Sequence, residues 1–489
     1  MHAIEPQRHR EGARLSSTGV PSADRLVNFG GNHAWSAHCR RPRDDSEVLD
    51  ILLRHRAEHV RAVGSLHSWS GVALTPGVTL DMSLFDDVRY SAGAGVVHAG
   101  AGCTLQAVLD HLHAGTDRTL PTLGVIKRQT MAGVISTATH GSGRPSLSHF
   151  VTAVRVATYD ADGLPTIVEH RDGDGLRAAR CSLGCMGIIL SVTMRTVPAY
   201  RVRETIRHLN RIEDALALCR DHSLTQFALF PHGWDVVAWE RDALPGDGPG
   251  TGWLKARVFR IFNRIGIDFL SHALLKLCIL LGPWATTALM KLLPRLLIAD
   301  VARIDEAEHV LTMRHDLFRH EEMEMFVPES KAAAAADLLR AGIEVFAGAA
   351  AAIPTDLERE LREAGLFEDL MRDRGSYVHH YPMLFRRVLP DDTLISMTSS
   401  STEAWLSFSL FTYLGPHRRQ AYYSMCRWFA RAAHALLGAR LHWGKHYPLG
   451  ATETARMYAY LEQFREECRA HDPAGIFRNE MSERVLELR

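Results

Sequence analysis

Cysteine is scarce in this 489-residue chain, and only Cys181 and Cys185 lie close together in sequence. The eight cysteines have neither the density of a disulfide framework nor the spacing of a structural zinc site. They are Cys39, Cys103, Cys181, Cys185, Cys219, Cys278, Cys426 and Cys468. Unpaired cysteines fit a reducing compartment, so we expect a cytoplasmic protein.

The N-terminal residues lack the apolar stretch of a secretory signal. They read "MHAIEPQRHREGARLSSTG", which is polar and rich in arginine. We therefore expect residues 1–30 to form a flexible arm.

Net charge is also lacking. Lysine plus arginine number 56 and aspartate plus glutamate number 56, so the formal net charge is zero. No global field then attracts polyanions, and this argues against a nucleic-acid-binding protein.

The chain has no long uninterrupted apolar run. Residues 265–299 are almost continuously apolar, but the uncharged part, 277–290, is shorter than the roughly 20 residues of a spanning helix. Gly282-Pro283 also divides it. We expect two short apolar helices in place of a transmembrane segment. They either pack inside a domain, which is favoured, or lie on a membrane surface or line an entrance for an oily substrate.

Apolar residues are abundant overall, at 46% of the chain, which is enough for large cores in two or three domains. Residues 31–200 alternate short strands with helices and place glycines at strand ends, which predicts an α+β domain whose loops approach a ligand closely. Residues 201–435 combine strands with longer helices and contain the apolar insertion. They predict a second α+β domain whose sheet covers a cleft.

Three segments rich in glycine and hydroxyl residues suggest ligand contact. They are "GSLHS" at 64–68, "LPTLGVIKRQTMAGVISTATHGSG" at 120–143 and "SLGCMGII" at 182–189. Unencumbered backbone N–H groups in tight turns bind anions, and small residues let a phosphate or a ring come close. For "GSLHS" alone, a solvated surface loop is the simpler interpretation. Interleaved apolar residues make the second segment look buried and ordered.

The order of motifs resembles the FAD-linked oxidases of the vanillyl-alcohol oxidase type, and among them the sugar-1,4-lactone oxidase and alditol oxidase group. Three further motifs complete the resemblance: "EMEMFVP" at 322–328, "HWGK" at 442–445 and "DPAGIFRNEMSERVL" at 472–486. Each motif is weak alone, but six in the same order run nearly end to end. Leu66 departs from the pattern, because several relatives have glycine there.

The resemblance implies a PCMH-type FAD-binding domain of two α+β subdomains at 31–200 and an α+β substrate domain at 201–435. The C-terminal segment, 436–489, is expected to return to the first domain and complete the flavin pocket. In many relatives the histidine matching His67 is bonded to the flavin 8-methyl carbon, so covalent FAD is an open expectation. The residues expected at the cofactor are Gly64, Ser65, Leu66, His67, Ser68, Gly124, Ser136, Thr139, His140, Gly141, Gly187, Ile188 and His442.

On the substrate side, the family carries a glutamate and an arginine two residues apart. Matching "YPMLFRRVLPDD" places Arg386 at the arginine and Leu384 at the glutamate, with the register uncertain by one because Arg387 follows. A cation beside the flavin stabilises its anionic reduced form, and either Arg386 or Lys445 of "HWGK" could supply it. Glu324 either faces solvent or faces the cleft and partly replaces the missing carboxylate.

Leu384 motivates the hypothesis that the substrate is less polar than a sugar lactone, because leucine accepts no hydrogen bond. We predict an FAD-dependent oxidoreductase that takes a hydride from a CH–OH carbon to flavin N5. Oxygen or another acceptor then reoxidises the flavin. A dehydrogenase or reductase of a lipophilic substrate and a non-catalytic flavoprotein stay open as alternatives. We expect no metal site, and peripheral membrane contact through 265–299 is open.

Overall fold

A computed structural model describes residues 24–246, 251–252, 257, 270–297, 299–313, 319–349, 353–415 and 418–488. Of the predicted N-terminal arm, residues 1–30, the first 23 residues lie outside the described residues. From Asp24 onward the chain is already a strand paired with a neighbour, so the boundary at residue 30 was placed too late.

The first subdomain is a four-stranded sheet with one helix between its strands. Its elements are β1 (Asp24–Val27), β2 (Ala34–Arg40), α1 (Asp45–Arg54), β3 (Val60–Val63) and β4 (Val78–Asp81). The strand order is β1-β2-β4-β3, with β2 and β3 parallel to β4. The Asp44 side chain caps α1 by accepting from the N–H of Glu47 at 3.0 Å, and Val48 and Leu52 point into the core.

The second subdomain is an antiparallel sheet of order β5-β6-β10-β8-β9. Its strands are β5 (Val88–Ser91), β6 (Val96–Gly100), β7 (Arg118–Thr119), β8 (Val151–Tyr159), β9 (Pro165–His170), β10 (Ile188–Arg195) and β11 (Val197–Pro198). Its helices are α2 (Leu105–Gly115), α3 (Met131–Ser136) and α4 (Gly173–Ala179). β11 leaves the sheet and pairs with β7.

The second domain is built on an eight-stranded antiparallel sheet of order β15-β12-β14-β13-β17-β18-β16-β19. The strands are β12 (Tyr200–Leu209), β13 (Gln226–Leu229), β14 (Val236–Pro245), β15 (Arg303–Glu306), β16 (Glu321–Pro328), β17 (Met383–Val388), β18 (Trp405–Thr412) and β19 (Arg440–Leu441).

Helices connect the strands of this sheet, and the two longest cover one of its faces. The helices are α5 (Ile212–Asp221), α6 (His272–Leu281), α7 (Pro283–Leu292), α8 (Ala307–Leu311), α9 (Ala332–Phe346), α10 (Thr355–Glu363), α11 (Phe367–Arg372) and α12 (Gln420–Leu437). The amphipathic α9 and α12 pack on each other and on β16, whereas the opposite sheet face turns toward the first domain. The predicted α+β class is confirmed.

The C-terminal segment contains α13 (Ala451–Met457), α14 (Leu461–His471) and α15 (Glu480–Leu486). It packs on the first domain. The N–H of Val60 donates to the carbonyl of Ile476 at 2.9 Å, and Arg61 donates to the carbonyl of Phe477 at 2.6 Å. The end of the chain therefore holds β3 and the loop that follows it.

The apolar insertion forms a hairpin of α6 and α7, joined at Gly282 with φ +111°. Residues 265–269 and 298 of the insertion lie outside the described residues. Across the described ranges, the helices are all too short or too polar to cross a bilayer.

Candidate active site

A large cleft lies between the first domain and the uncovered face of the eight-stranded sheet. Its empty volume is ≈ 1830 Å³, part of which is open to solvent. The loop after β3, the segment around α3 and the strands β13, β16, β17 and β18 all contribute to its walls. The cleft therefore collects side chains that are far apart in sequence.

The "GSLHS" loop forms one wall of the cleft. A Cβ at Gly64 would lie 2.2 Å from Oγ1 of Thr130, so glycine lets this loop approach the start of α3. Leu66 has a φ of +57°, a left-handed conformation that costs a leucine roughly 1–2 kcal/mol. The His67 ring lies 4.8 Å from the Phe29 ring. This places an imidazole at the cleft wall.

The loop is tied to the "HWGK" motif, which comes from the other end of the chain. The Ser68 hydroxyl donates to the carbonyl of Gly444 at 3.1 Å, and the N–H of Trp69 donates to the same carbonyl at 2.8 Å. His67 and Lys445 are therefore positioned by one shared contact.

The segment 120–143 supplies hydroxyl groups and close backbone approach. Thr130 caps α3, and the Ser136 hydroxyl donates back to the carbonyl of Ala132 at 2.7 Å. A Cβ at Gly124 would lie 2.7 Å from Cγ2 of Thr139. The segment is thus folded against itself, and its small side chains face the cleft.

Two histidines and a glutamate meet in the buried interior of the cleft. His140 Nε2 lies 3.2 Å from the Glu324 carboxylate, and its Nδ1 donates to the carbonyl of Gly141 at 3.0 Å. Burial acts to raise the pKa of Glu324, but the charges of His140 and Lys445 hold that pKa well below its usual value. Glu324 is therefore an ionised partner for His140 and a weak base.

His442 is the second ring of this cluster. Its Nδ1 accepts the N–H of Gly444 at 3.0 Å, and burial lowers the pKa of His442 to about 3. A neutral ring whose Nδ1 accepts carries its proton on Nε2. Ligand atoms of His140, Glu324 and His442 lie within 4.8 Å of one another, a spacing that could hold a metal ion.

Lys445 is paired inside the cleft. Its ammonium contacts the Glu322 carboxylate, whose other oxygen accepts from the Ser409 hydroxyl at 2.7 Å. The ammonium also lies 4.3 Å above the Trp69 ring. Glu322 therefore offsets much of the positive charge of Lys445.

Arg386 lines the cleft in a different electrostatic setting. Its Nε donates to the amide oxygen of Gln226 on β13 at 3.4 Å, whereas the neighbouring Arg387 pairs with Glu329 at 2.8 Å. Among the described residues, no carboxylate lies within salt-bridge distance of Arg386. Arg386 lines the cleft and Arg387 does not.

The structure brings most of the predicted site residues together. The cofactor candidates at the cleft are Gly64, Ser65, Leu66, His67, Ser68, Gly124, Ser136, Thr139, His140, Gly187 and His442. Arg386, Lys445 and Glu324 line the same cleft.

Two predicted cofactor residues do not line the cleft. Gly141 packs against the carbonyl of Leu123, which a Cβ would approach to 2.7 Å, and lines a separate small pocket. Ile188 is 1% exposed in the core, and Ile189 lines the cleft in its place. Strand pleating turns these neighbours in opposite directions.

Several site residues were not predicted as such. Glu322 was visible in the alternation of "EMEMFVP", which places it on the same strand face as Glu324. Exposure was one open interpretation of these glutamates, but both are buried. Gln226 and the aromatic side chains of Tyr381, Phe411 and Tyr413 had no sequence signal, because only strand pairing brings them here.

The residues present fit the FAD that the resemblance implies. Gly64 and Gly124 are positions where a side chain would collide with the structure behind the cleft. Hydroxyls and backbone N–H groups offer uncharged hydrogen bonds, and Arg386 offers a cation with no carboxylate partner in the described chain. Such a set suits a large, anionic, partly aromatic cofactor.

Comparison with known proteins supports this assignment. Residues 192–485 match the D-arabinono-1,4-lactone oxidase family, and residues 37–166 match an FAD-binding domain family. The chain is 38% identical over 470 residues to a long-chain alcohol oxidase of an uncultured marine euryarchaeote, which spans 94% of this chain and 96% of the relative. It is 26% identical over 467 residues to the L-gulono-1,4-lactone dehydrogenase of Mycobacterium tuberculosis, with 91% and 95% covered.

The fold is similar to that of a solvent-stable cholesterol oxidase, with a TM-score of 0.69 over 94% of this chain and 97% of that chain. The identity is 16%, so this likeness concerns the fold alone. It is the fold expected of a PCMH-type flavoprotein. With the family match over residues 192–485 and the FAD-binding match before it, the chain belongs to the D-arabinono-1,4-lactone oxidase family and is an FAD-linked oxidoreductase that acts on CH–OH groups.

Proposed function

We propose that this enzyme oxidises long-chain, apolar alcohols in preference to sugar lactones. The observation that carries the proposal is Leu384 at the cleft face, two residues before Arg386 on β17. Its cross-strand neighbours are Ala228 and Ser409, so no carboxylate stands beside it on either adjacent strand. A polyhydroxylated substrate would find no acceptor at this point, whereas an alkyl chain would pack there.

The rest of this wall is apolar and aromatic. Tyr381 lies 4.9 Å from Phe411 and 5.5 Å from Tyr413, measured between ring centroids, and all three line the cleft with Leu384. Rings of this kind bind alkyl chains through apolar surface and dispersion. The wall is therefore suited to an oily substrate.

The carboxylates that do reach the cleft are already engaged. Glu322 is held by Lys445 and Ser409, and Glu324 by His140. Releasing Glu322 would leave the ammonium of Lys445 without its carboxylate, and releasing Glu324 would leave a buried ring nitrogen of His140 without its partner. Both changes are costly. Neither glutamate is therefore free to substitute for the acidic group missing at Leu384.

The relatives support the same choice. The protein with 38% identity over most of both chains is named a long-chain alcohol oxidase, whereas the lactone dehydrogenase from Mycobacterium tuberculosis shares 26%. Both names describe oxidation of a hydroxyl-bearing carbon, and the substrate differs. The apolar cleft wall around Leu384 agrees with a long-chain alcohol as the substrate.

Bound FAD would supply the hydride acceptor for this oxidation. Arg386 is placed to stabilise negative charge that develops there, because no carboxylate in the described chain neutralises it. Lys445 contributes less, since Glu322 pairs with it. The uncharged ring of His442 can donate from Nε2, and His140 with Glu324 keeps the interior of the cleft fixed.

We also propose that His67 holds FAD covalently through a bond from a ring nitrogen to the flavin 8-methyl carbon. This bond would replace one methyl C–H and the imidazole N–H, and the electron pair left on the flavin would pass to the acceptor that reoxidises it. The support is the position of the ring in the cleft wall, on a loop held by Gly444 and the start of α3. Intact mass of the denatured holoenzyme should include FAD, and His67→Ala should lose that mass while still folding. A wild-type mass without FAD would reject the bond but not the cofactor.

The substrate proposal is tested by anaerobic flavin reduction. We expect dodecanol to bleach the flavin absorbance of the purified holoenzyme much faster than a sugar lactone does, and readmitted oxygen or an added quinone to restore it. Faster bleaching by the lactone would reject the proposed substrate class. Bleaching by neither compound would favour a non-catalytic flavoprotein.

A further inference from the structure

The hairpin of residues 270–297, called here the apolar hairpin, exposes large apolar side chains. Leu280 is 71% exposed and Trp284 is 72% exposed, at the tip where α6 meets α7. The other exposed side chains are Leu270, Leu274, Leu277, Leu281, Leu292 and Leu296. In the described chain, most exposed large apolar side chains lie on this hairpin, and a patch of this kind marks an interaction surface.

The charge of the apolar hairpin has one sign. Lys291 and Arg295 are exposed beside the leucines, and Lys276 is partly exposed. No aspartate or glutamate occurs between residues 270 and 299, although the whole chain is neutral. Leucines and a tryptophan flanked by cations match the boundary between acyl chains and anionic headgroups.

The buried face of the hairpin lies against the substrate cleft. Leu275, Leu289 and Met290 are buried with Tyr381 and Tyr413 packed on them. These two tyrosines also line the cleft. The hairpin therefore has an apolar outer surface and an inner surface that forms the back of the proposed alcohol-binding wall.

We propose that the apolar hairpin docks the enzyme on the surface of an anionic lipid bilayer, where the cleft receives its alcohol. The docking rests on the exposed surface and its charge alone, and the delivery of alcohol rests on the proposed function. Each helix has 10 residues, about 15 Å at 1.5 Å per residue, so the hairpin lies in the interface and does not span the bilayer.

A second copy of the chain fits this surface less well. In a two-fold dimer the same patch meets itself, so Lys291 and Arg295 of each copy would come near those of the other. No acidic residue on the hairpin offsets them. An anionic lipid surface satisfies both the leucines and the cations.

The docking is tested by sedimentation of holoenzyme with vesicles of phosphatidylcholine alone and of phosphatidylcholine with phosphatidylglycerol. We expect the wild type to bind the anionic vesicles. Leu280→Ser/Trp284→Ser should reduce the affinity for these vesicles roughly a hundredfold, about tenfold for each exposed apolar side chain. Lys291→Gln/Arg295→Gln should lose about twenty-fivefold in affinity for anionic vesicles, at about fivefold per cation, and little affinity for phosphatidylcholine alone. Leu164→Ser is the matched control, since Leu164 is 50% exposed on the first domain.

Vesicle binding that is absent in the wild type, or equal in Leu280→Ser/Trp284→Ser, would overturn the docking. The docking would also be overturned if the wild type eluted as a dimer on size-exclusion chromatography, and this variant eluted as a monomer with unchanged vesicle binding. An unchanged flavin spectrum shows that each variant is folded.

The docking proposal and the substrate proposal can be rejected independently. We expect Leu280→Ser/Trp284→Ser to lose turnover of vesicle-borne dodecanol and to keep turnover of dissolved hexanol. Vesicle binding with no oxidation of either alcohol would sustain the docking and reject the function. If the enzyme oxidises dodecanol and hexanol but binds no vesicles, the proposed function stands and the docking is rejected.

Discussion

Leu384 shows how a single side chain changes the chemistry of a shared scaffold. It lies on the same face of β17 as Arg386, where the family resemblance places a carboxylate. A carboxylate there would both accept substrate hydrogen bonds and pair with the arginine. The leucine leaves an apolar wall and an arginine without that partner.

The first prediction concerns this position. Leu384→Glu should reduce kcat/KM for dodecanol by roughly 10–100-fold, because it places a charge beside the alkyl chain. Flavin reduction by a sugar lactone should improve relative to dodecanol. Leu384→Met is the control. It should change neither kcat/KM for dodecanol nor the rate of flavin reduction by the lactone by more than a few fold, since it conserves volume and apolarity. An unchanged ratio of dodecanol to lactone rates in Leu384→Glu would contradict the role given to Leu384.

The second prediction separates the two cations of the cleft. Arg386→Met should slow anaerobic flavin reduction by about 10²–10³-fold, the loss seen when one preorganised donor to developing charge is removed. Lys445→Met should slow it less, because Glu322 already neutralises that ammonium. Stopped-flow reduction at saturating alcohol isolates this step from binding. A larger loss in Lys445→Met would reverse the assignment.

At the level of elements, strand pairing decides which residues meet. Leu384 on β17 pairs with Ser409 on β18, which pairs with Glu324 on β16. The glutamate therefore lies two strands away from the position where the family resemblance places a carboxylate. Arg386 pairs with Gln226 on the opposite side. Each strand step is about 4.8 Å, so the backbone of Glu324 is displaced from that of Leu384 by roughly twice that distance. This spacing leaves Glu324 beside His140 and away from the position of Leu384.

The third prediction concerns the C-terminal segment, which clamps the cofactor loop. The buried Asn479 amide donates to the carbonyls of Gly71 at 3.0 Å, Val72 at 3.2 Å and Leu74 at 2.9 Å, just after the "GSLHS" loop. Asn479→Ala should lower the free energy of unfolding by about 2–3 kcal/mol, because buried carbonyls lose their donor. Thermal unfolding of the holoenzyme measures it. The exposed Asn210→Ala serves as control, and equal melting temperatures for both variants would contradict the clamp.

At the scale of the whole molecule, burial of neutral histidines sets the response to acid. Burial lowers the pKa of His170, His272, His380 and His446 to about 4 each. In the unfolded chain these rings titrate near 6.5, so between about pH 6.5 and 4 only the unfolded state takes up their protons. Stability therefore falls as the pH is lowered through that window.

The fourth prediction is a lower urea midpoint at about pH 5 than at about pH 7.5, from proton uptake by the unfolded state. Glu321 works the other way, because burial raises its pKa to about 7 and the folded state then binds a proton first as the pH falls. The single carboxyl of Glu321 offsets only part of the loss of stability that the four histidines cause on acidification. A midpoint that rises on acidification would show that the histidines are accessible in the folded protein.

The sequence by itself determined the class of the fold, and the resemblance of its six motifs to those of FAD-linked oxidases indicated the cofactor. Glycines and hydroxyls in "GSLHS" and in 120–143 are local requirements of a close backbone approach, and the alternation of strand and helix signals is local as well. These patterns can be read without knowing what each segment contacts. The same is true of Leu384, whose mismatch with the family is visible in one line of sequence.

Only the tertiary structure decided which side chains share the cleft and how they are charged. Nothing local predicts that Ile189 and not Ile188 lines it, that Arg386 and not Arg387 faces it, or that Glu322 neutralises Lys445. These outcomes depend on the register of β13, β16, β17 and β18 and on the return of the C-terminal segment, which are contacts between residues far apart in the chain. Electrostatic roles follow from such distances, so they exist only once the sheet and the first domain have closed around the cleft.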